Sequence, residues 1–299
     1  MGLVISVVIP HYGDAAPTLA LVTQLLPQLG GVHEIVVADD CSPTLFPATD
    51  GVRVVRRATN GGFGAAVNSG AAAASGDLLL ILNSDLDVRP TFVADLLAAA
   101  SPWLPCVAGP RIVDPAGHVA PTARHFPTVG HQVVEWLTPL ARWRDGRALH
   151  EAVGHDMDAL DASSPTVTDW LVGAALLLPT TAFREVGGFD ERFHMNSEEV
   201  DLQRRLRGRG VPSVYLPTVT VTHEGGGSSD PAKRRAWLVA SRWRYAEKWG
   251  GVPALRAGLT AATAANLMWN LGRRALGRDT RPLATARYEL DLIWRKDAA

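Results

Sequence analysis

Cysteine is scarce in this chain, with only Cys41 and Cys106 among its 299 residues. Two cysteines are too few for a disulfide framework, and neither lies in a cluster with the spacing of a metal site. The N-terminus begins with a strand pattern, residues 4–10, and lacks the basic start of a signal peptide. The expected location is therefore the reducing cytoplasm.

Long apolar runs are also missing. No uncharged apolar stretch reaches the roughly 18 residues expected of a membrane-spanning helix. The nearest candidate, residues 257–272, is mostly Ala, Thr and Asn, so no spanning helix is predicted. With 47% hydrophobic and 20% charged residues, the composition is that of a globular protein with a sizeable core.

The net charge of −1 hides an asymmetry along the chain. From Lys233 onward there are 14 Lys and Arg against 5 Asp and Glu. The same third contains Trp237, Trp243, Trp249, Trp269 and Trp294. Basic residues interleaved with Trp are typical of an anionic membrane surface, and the expected location becomes the inner face of the cell membrane. Two alternatives stay open, a helical appendage packed against the acidic body and a dimer contact. Nucleic acid is not expected, because no binding motif accompanies the charge.

The first half of the chain alternates short apolar runs with helical patterns, which indicates βαβ units and a largely parallel sheet. The predicted strands are residues 4–10, 33–38, 52–56, 78–82 and 106–109, and the predicted helices are residues 16–29, 64–74 and 90–100. Further on, residues 170–179 and 213–222 are predicted as strands and residues 200–210 as a helix. Residues 115–168 show weak periodicity and are interpreted as an irregular insertion.

Two domains are predicted, an α/β domain over residues 1–230 that carries the strand-end candidates and a basic, Trp-containing helical region over residues 231–299. A dinucleotide enzyme would also begin with alternating strands and helices. It should carry the Gly-x-Gly-x-x-Gly turn after the first strand, where this chain has Pro10-His11-Tyr12-Gly13-Asp14. A dehydrogenase is therefore excluded.

An apolar run that ends in carboxylates is the most informative motif. Leu79-Leu80-Ile81-Leu82 leads directly into Asn83-Ser84-Asp85-Leu86-Asp87. Carboxylate oxygens are preferred ligands of Mg²⁺ and Mn²⁺, so this strand end suits a metal-held diphosphate. The alternative is a turn in which Asn and Asp bind local backbone groups.

Four further segments allow the same chemistry. Asp39-Asp40-Cys41-Ser42 follows an apolar strand, and Asn60-Gly61-Gly62-Phe63-Gly64 opens a helix whose backbone N–H groups suit a phosphate. Glu198-Glu199 starts a helix and offers a general base, and His223 ends a strand and could complete a metal site. Each segment alone is equally well explained by capping, turns or a structural histidine.

Together, these segments resemble the inverting glycosyltransferases of family 2, which have the GT-A fold, over residues 4–228. The matching motifs are Val-Val-Ile-Pro, Asp-Asp-x-Ser, Asn-x-Gly-x-Gly-x-Ala-x-Asn-x-Gly, Leu-Asn-x-Asp, Gly-Gly-Phe-Asp-Glu-x-Phe and Glu-Glu-Val-Asp-Leu. Leu-Asn-x-Asp and the trailing Val-x-His are similar to the bacterial rhamnosyltransferase-like branch. The resemblance implies an α/β fold with a Rossmann-like, mostly parallel central sheet flanked by helices, and a helical C-terminal extension.

The resemblance also implies roles for individual residues. The nucleotide would be bound by Asp39, with Pro10 and His11 lining its pocket, and Asn60, Gly62, Asn83 and Ser84 are added as strand-end and loop candidates. A divalent metal, Mg²⁺ or Mn²⁺, would be held by Asp85 and His223, with Asp87 as a further candidate. Glu199 would be the catalytic base, and Trp170, Gly173 and Glu198 would shape the acceptor site.

Three positions depart from the family pattern. Asn83 replaces the first Asp of Asp-x-Asp, and Glu199 stands where the family usually has Asp. The base therefore remains open among Glu198, Glu199 and Asp201. Cys41 replaces a glycine, which is expected to be tolerated.

The expected function is metal-dependent transfer of a sugar, with inversion, from a nucleoside-diphosphate donor to a hydroxyl of a glycan or polyprenyl-linked glycan, as in cell-wall or polysaccharide biosynthesis. By branch resemblance the donor is dTDP-rhamnose, with uridine-linked galactose, galactofuranose or N-acetylglucosamine left open. Residues 225–227 are expected to close over the diphosphate. A non-catalytic glycan- or nucleotide-binding scaffold on the same fold is the alternative.

Overall fold

The computed structural model describes residues 3–30, 34–225 and 231–294. His33, the predicted first residue of the second strand, lies outside these ranges, as do Gly226 and Gly227 of the predicted closing loop. The described chain forms two compact units. Unit 1 comprises residues 1–124 and 158–228, and unit 2 comprises residues 125–157 and 229–299.

Unit 1 is built on a mixed sheet. Its strands are β1 (Ile5–His11), β2 (Glu34–Asp39), β3 (Val52–Arg56), β4 (Leu78–Leu82), β5 (Leu86–Asp87), β6 (Val107–Val113), β7 (Ala123–Arg124), β8 (Thr166–Thr168), β9 (Trp170–Leu171), β10 (Ala175–Pro179) and β11 (Ser213–His223). The main sheet has the order β3-β2-β1-β4-β10-β6-β11-β5, with β8 paired to β11, and β7 pairs with β9 separately. The first four strands of this order are parallel, and β10 runs antiparallel to both of its neighbours.

The helices of unit 1 are α1 (Ala15–Leu25), α2 (Phe63–Ala73), α3 (Phe92–Ala100), α7 (Thr180–Glu185) and α8 (Glu198–Arg207). Those of unit 2 are α4 (Val129–Trp136), α5 (Arg147–Ala152), α9 (Pro231–Trp249), α10 (Val252–Ala275) and α11 (Pro282–Trp294). The short α6 (Met157–Asp161) begins at the boundary between the units. No helix in the described part of the chain is both long enough and apolar enough to cross a bilayer.

The predicted α/β class with a mostly parallel sheet is confirmed. All five residues of β4 are buried, which explains why it is a continuous apolar run without alternation. Residues 170–179 were predicted as one strand but form β9 and β10, separated by a turn. The prediction of an irregular segment over residues 115–168 was wrong, because it contains β7, α4, α5, α6 and β8.

Unit 2 has its own core, formed by Trp136 of α4 with apolar residues of α9, α10 and α11. The indole Nε1 of Trp136 donates to Thr263 Oγ1 at 2.9 Å. The Asn266 amide donates to the Trp136 carbonyl at 2.9 Å and to Glu289 Oε2 at 3.2 Å. Residues 125–157 thus pack with the C-terminal helices, whereas the sequence analysis grouped them with the first domain. The linear division at residue 230 stays a prediction.

Candidate active site

The parallel strands β1, β2 and β4 end at one edge of the main sheet. His11 at the end of β1 lies beside Asp39 at the end of β2. Asn83, directly after β4, donates its backbone N–H to the carbonyl of Ala174 at 2.8 Å. The turn between β9 and β10 therefore joins the same edge, where open α/β sheets bind their ligands. Pro10 and Ser84 lie at these strand ends too, and their contact with a nucleotide stays a prediction.

The imidazole of His11 is 2% exposed and is held at one ring nitrogen. Its Nδ1 lies 2.8 Å from Thr18 Oγ1, and its ring meets Phe46 edge-on with centroids 4.9 Å apart. Its Nε2 is buried and has no hydrogen-bond partner among the described residues. Burial lowers the pKa of His11, against the opposing charges of Asp39 and Asp14. A lowered pKa favours the neutral form of the ring.

Asp39 is fully buried, and both of its carboxylate oxygens are engaged. Oδ1 accepts the Ser42 N–H at 2.8 Å, and Oδ2 accepts from the Arg56 guanidinium and, at 3.5 Å, from the Phe46 N–H. Burial raises the pKa of Asp39, but the hydrogen bonds from Ser42, Arg56 and Phe46 outweigh it and the pKa is lowered. A nucleotide base could reach this carboxylate only by sharing it with Arg56, and the predicted contact remains untested.

Asp40, which was not among the predicted site residues, has a structural role. Its carboxylate accepts the N–H of Gly61 at 3.0 Å and of Gly62 at 2.8 Å, and it pairs with Arg57 Nε at 2.9 Å. Gly62 has φ +85, and a Cβ there would clash with the carbonyl of His194. The N–H groups at the start of α2 are therefore already occupied by an internal anion, so this loop serves to hold the strand end in place. A nucleotide contact from Asn60 or Gly62 stays a prediction.

Asp85 and His223 meet although they are far apart in sequence. His223 Nε2 lies 3.0 Å from Asp85 Oδ1, and the Glu224 N–H donates to the Asp85 carbonyl at 3.1 Å. The pairing of β11 with β5 creates this contact, since it sets His223 opposite Leu86. The hydrogen bond from His223 lowers the pKa of Asp85, against partial burial. The two side chains are 31% and 29% exposed, so both remain open to a ligand.

Asp87, the third predicted metal ligand, is engaged elsewhere. Its Oδ1 accepts from Gln24 Nε2 at 2.6 Å, and its backbone pairs with Thr222. Across the described ranges, no three His, Cys, Asp or Glu side chains are grouped so that they could hold a metal ion. The chain itself thus brings together one carboxylate and one imidazole, and further ligands to a metal would have to come from a bound molecule or solvent.

Glu198 and Glu199 begin α8 next to the β9–β10 turn. A Cβ on Gly173 would lie 3.4 Å from the Glu199 Cβ, and the Gly173 N–H donates to the Glu199 carboxylate. In each glutamate, Oε2 is buried and has no hydrogen-bond partner in the described chain. Because Ala174 is bonded to Asn83, this carboxylate pair lies at the same edge of the sheet as the end of β4.

Both glutamates hold protons more tightly than an ordinary carboxyl group. Burial, and then the negative charge of Glu199, raises the pKa of Glu198 well above its usual value. Burial also raises the pKa of Glu199, against its own N–H, the charge of Arg124 and the Gly173 N–H. A raised pKa suits a group that must accept a proton near neutral pH.

Asp201, the remaining candidate base, has a structural partner. It is fully buried, and Arg205 Nε donates to its Oδ2 at 2.8 Å. Arg205 also donates to the carbonyl of Val186 at 2.6 Å, so the ion pair fastens α8 to the end of α7. This arrangement favours Glu198 or Glu199 as the base.

Trp170 and Arg124 line the neighbourhood of Glu199. They lie opposite each other in the β7–β9 pair, and the guanidinium lies 5.5 Å from the centroid of the indole. Trp170 is 7% exposed, so its ring is mainly packed inside the protein beside Arg124. The sequence analysis missed Arg124 because it lies in a segment interpreted as irregular, and only strand pairing reveals its position.

The motif Gly187-Gly188-Phe189-Asp190-Glu191 is structural. Asn68 of α2 accepts the Phe189 N–H at 2.8 Å and donates to the Phe189 carbonyl at 2.9 Å. Its amide also donates to Glu191 Oε1 at 3.0 Å. Asn68 of α2 thus binds the loop that leads to α8, which explains why these motifs occur together.

The raised pKa of Glu198 predicts a pH-dependent cost to stability. In the unfolded chain this carboxyl group titrates near 4.5, whereas in the native state it keeps its proton to higher pH. Between these two values the native state binds more protons, so the free energy of unfolding falls as the pH rises. Glu198→Gln should therefore be more stable than wild type at pH 8 and should differ little at pH 4. Urea unfolding at both pH values measures this, and an equal effect at both would contradict it.

The comparison with protein families agrees with this geometry. Residues 6–136 match the model described as "Glycosyl transferase family 2". The N-acetylglucosaminyl-diphospho-decaprenol L-rhamnosyltransferase of Mycobacterium tuberculosis is 35% identical over 203 residues. That alignment covers 62% of this chain and 63% of the relative. The chain thus spans slightly less than two thirds of the curated relative it matches.

Solved structures show the same fold. A mannosyltransferase from Pyrobaculum calidifontis in complex with GDP-Man and Mn²⁺ has a TM-score of 0.56 and 15% identity, over 98% of this chain and 81% of that one. GalNAc-T7 with UDP, GalNAc and Mn²⁺ has a TM-score of 0.55 and 18% identity, over 82% of this chain and 48% of that one. At these identities the likeness establishes the GT-A fold.

Proposed function

We propose that the chain is a glycosyltransferase of family 2, in its rhamnosyltransferase-like branch, and that it transfers a sugar, with inversion, from a nucleoside-diphosphate donor to a hydroxyl group. The observation that carries the proposal is the meeting of two sites at one edge of the sheet. The Asp85–His223 pair lies after β4, and the Glu198–Glu199 pair lies beside the turn that is bonded to Asn83.

The Asp85–His223 pair fits a divalent metal. A carboxylate oxygen and an imidazole nitrogen 3.0 Å apart, both partly exposed, are ligands that Mn²⁺ accepts. When bound, such an ion would neutralise charge on the diphosphate of the donor. In this respect the proposal is also supported by the two structural neighbours named above, which contain Mn²⁺ with UDP or GDP-Man.

Glu199 is proposed as the base. Its partly exposed side chain faces Gly173, and its buried Oε2 has no competing donor among the described residues. The carboxylate accepts the proton of the acceptor hydroxyl while the acceptor oxygen forms a bond to the anomeric carbon. The bond from that carbon to the diphosphate breaks on the opposite face, and the diphosphate leaves with the electron pair. Burial raises the pKa of both glutamates, and the negative charge of Glu199 raises the pKa of Glu198 further.

The donor is proposed to be dTDP-rhamnose and the acceptor a polyprenyl-linked glycan. The support is the relative named as a rhamnosyltransferase of N-acetylglucosaminyl-diphospho-decaprenol, to which this chain is 35% identical. An acceptor of that kind is anchored in a membrane, so the enzyme is proposed to work at a membrane surface. His11 and its buried, unbonded Nε2 would contribute to the nucleotide pocket.

The test is a thermal-shift screen of dTDP-, UDP- and GDP-sugars with and without Mn²⁺. Binding to the native state alone raises stability by about 2.7 kcal/mol at a hundredfold excess over the dissociation constant. We expect a shift with one nucleotide family that requires the metal. Stabilisation by UDP- or GDP-sugars in place of dTDP-rhamnose would correct the donor alone. No shift with any nucleotide would favour the non-catalytic scaffold.

A further inference from the structure

The end of the α10–α11 hairpin in unit 2 is unusually exposed. Every residue from Leu271 to Asp279 is exposed, and this stretch includes Leu276, which is 84% exposed. Leu283, at the start of α11, is 71% exposed, and Met268 on the last turns of α10 is 70% exposed. Large apolar side chains clustered on a surface mark an interaction site.

Helix α11 has two faces of different kinds. Its inner face is buried and consists of Pro282, Ala286, Glu289 and Ile293. A second stripe at the same helical spacing is exposed and consists of Leu283, Arg287, Leu290 and Trp294. Trp294 is 56% exposed, so this stripe has apolar area that its own unit does not cover. A helix that needed to pack only inward would have polar residues on this face.

We call these exposed residues the hairpin surface: Met268, Leu271, Leu276, Leu283, Leu290 and Trp294, with Arg273, Arg274, Arg278, Arg281 and Arg287. The exposed acids between residues 268 and 294 are Asp279 and Asp291, against these five arginines. Glu289 is buried and bonded to Asn266, so it does not offset the surface charge. The surface is therefore both apolar and positively charged.

A third element extends this surface. The Arg142 guanidinium lies 3.8 Å from the ring centroid of Trp143 and 5.5 Å from that of Trp269 on α10. Trp143 is 52% exposed and lies in a stretch, residues 141–148, that is exposed throughout. Exposed Trp beside Arg is the arrangement found where a protein meets the interface of a bilayer.

We propose that the hairpin surface docks on an anionic lipid membrane, with its leucines and Trp294 in the headgroup region and its arginines against lipid phosphates. Charge complementarity favours lipid over a second copy of this chain. A symmetric dimer would place the same patch against itself and bring like charges together. A membrane offers negative charge and an apolar layer at one surface, and arginine can contact both because its stem is apolar and its head is charged.

Docking depends only on unit 2, so its test does not require the sugar-transfer reaction. The experiment is co-sedimentation of the full chain with vesicles of phosphatidylcholine alone or with 30% phosphatidylglycerol, a proportion of about one lipid in three chosen to mimic an anionic leaflet. We expect binding only to the anionic vesicles and its loss at high salt. Each arginine near such a surface contributes about fivefold to partitioning.

Two variants separate charge from apolar contact. R273Q/R274Q/R278Q/R281Q should lower partitioning by about six hundredfold, from about fivefold for each arginine. L276S/L283S should weaken binding to the vesicles and leave the dependence of binding on salt concentration unchanged. The matched control is R89Q/R209Q, which removes two exposed arginines of unit 1 and should bind as wild type does. Since all substituted side chains are exposed, the thermal unfolding of each variant should remain that of wild type.

Three results would overturn the proposal. The first is no binding of wild type to anionic vesicles, and the second is a loss of vesicle binding in R89Q/R209Q equal to that in R273Q/R274Q/R278Q/R281Q. The third is a wild-type dimer in solution that L276S/L283S converts to a monomer. The last would assign the hairpin surface to a second copy of the chain. The nucleotide thermal-shift screen is independent of these measurements, so failure of docking and failure of the proposed reaction can be distinguished.

Discussion

Asp85→Ala is expected to lower the rate of sugar transfer about a thousandfold or more and to abolish metal-dependent nucleotide binding. Asp85 is the carboxylate that pairs with His223, 3.0 Å away, and it carries the negative charge of this pair. Loss of a metal that neutralises the leaving diphosphate removes several kcal/mol of transition-state stabilisation, and each 1.36 kcal/mol is about tenfold in rate. Steady-state transfer assays with a range of Mn²⁺ concentrations measure the effect.

Asp87→Ala is the matched control for this prediction, because it removes a carboxylate two residues further along the same loop. Its Oδ1 is bonded to Gln24, so its loss should cost about 1 kcal/mol of stability and leave metal-dependent binding intact. Asp85→Asn separates the hydrogen bond from the charge, since an amide still bonds to His223. If Asp85→Asn or Asp85→Ala kept its Mn²⁺ requirement and its rate, the metal assignment would be wrong.

Glu199→Gln is expected to lower kcat by about 10²- to 10⁴-fold with little change in KM, the usual contribution of a general base. The substitution keeps the shape of the side chain beside Gly173 and removes only its ability to accept a proton. Glu198→Gln should have a smaller effect on kcat, because burial holds the proton on Glu198 and leaves Glu199 as the proton acceptor.

The pH profile tests the same assignment independently of the rate at one pH. Burial raises the pKa of both glutamates. In wild type, kcat should therefore fall on the acid side at a higher pH than it would with an ordinary glutamate as the base. That fall reports the pair as a unit and not one residue. In Glu198→Gln it should keep its raised position, because burial and not the charge of Glu198 raises the pKa of Glu199. If Glu199→Gln kept full activity, Glu198 would be the base instead. Asp201 could act as the base only if its bond to Arg205 were lost.

Much of the fold follows from local pattern. The predicted strands 52–56 and 78–82 have the same bounds in the structure, because each is a short β-favouring run between turn residues. The candidate site residues Asp85, Glu199 and His223 could be chosen from the sequence because they belong to distinctive local strings, and their roles stay predictions. Cys41, which replaces a glycine, has φ +62, as expected of a position that favours glycine.

Long-range pairing was outside the reach of the sequence analysis. The anchoring of the glycine loop by Asp40 and the position of Arg124 opposite Trp170 both join segments whose partner no local string identifies. The same holds for residues 125–157, which have weak periodicity of their own and fold by packing with helices a hundred residues later.

The sequence by itself determined the resemblance to a family, the parallel half of the sheet and the residue types at the candidate site, because these depend on short-range periodicity and on motifs that carry their own chemistry. Only the tertiary structure decided which of these residues meet. His223 reaches Asp85 because β11 pairs with β5, and Glu199 reaches the same edge because the turn before β10 bonds to Asn83. Such contacts are set by strand register and burial over the whole chain, and these are properties that no local segment contains.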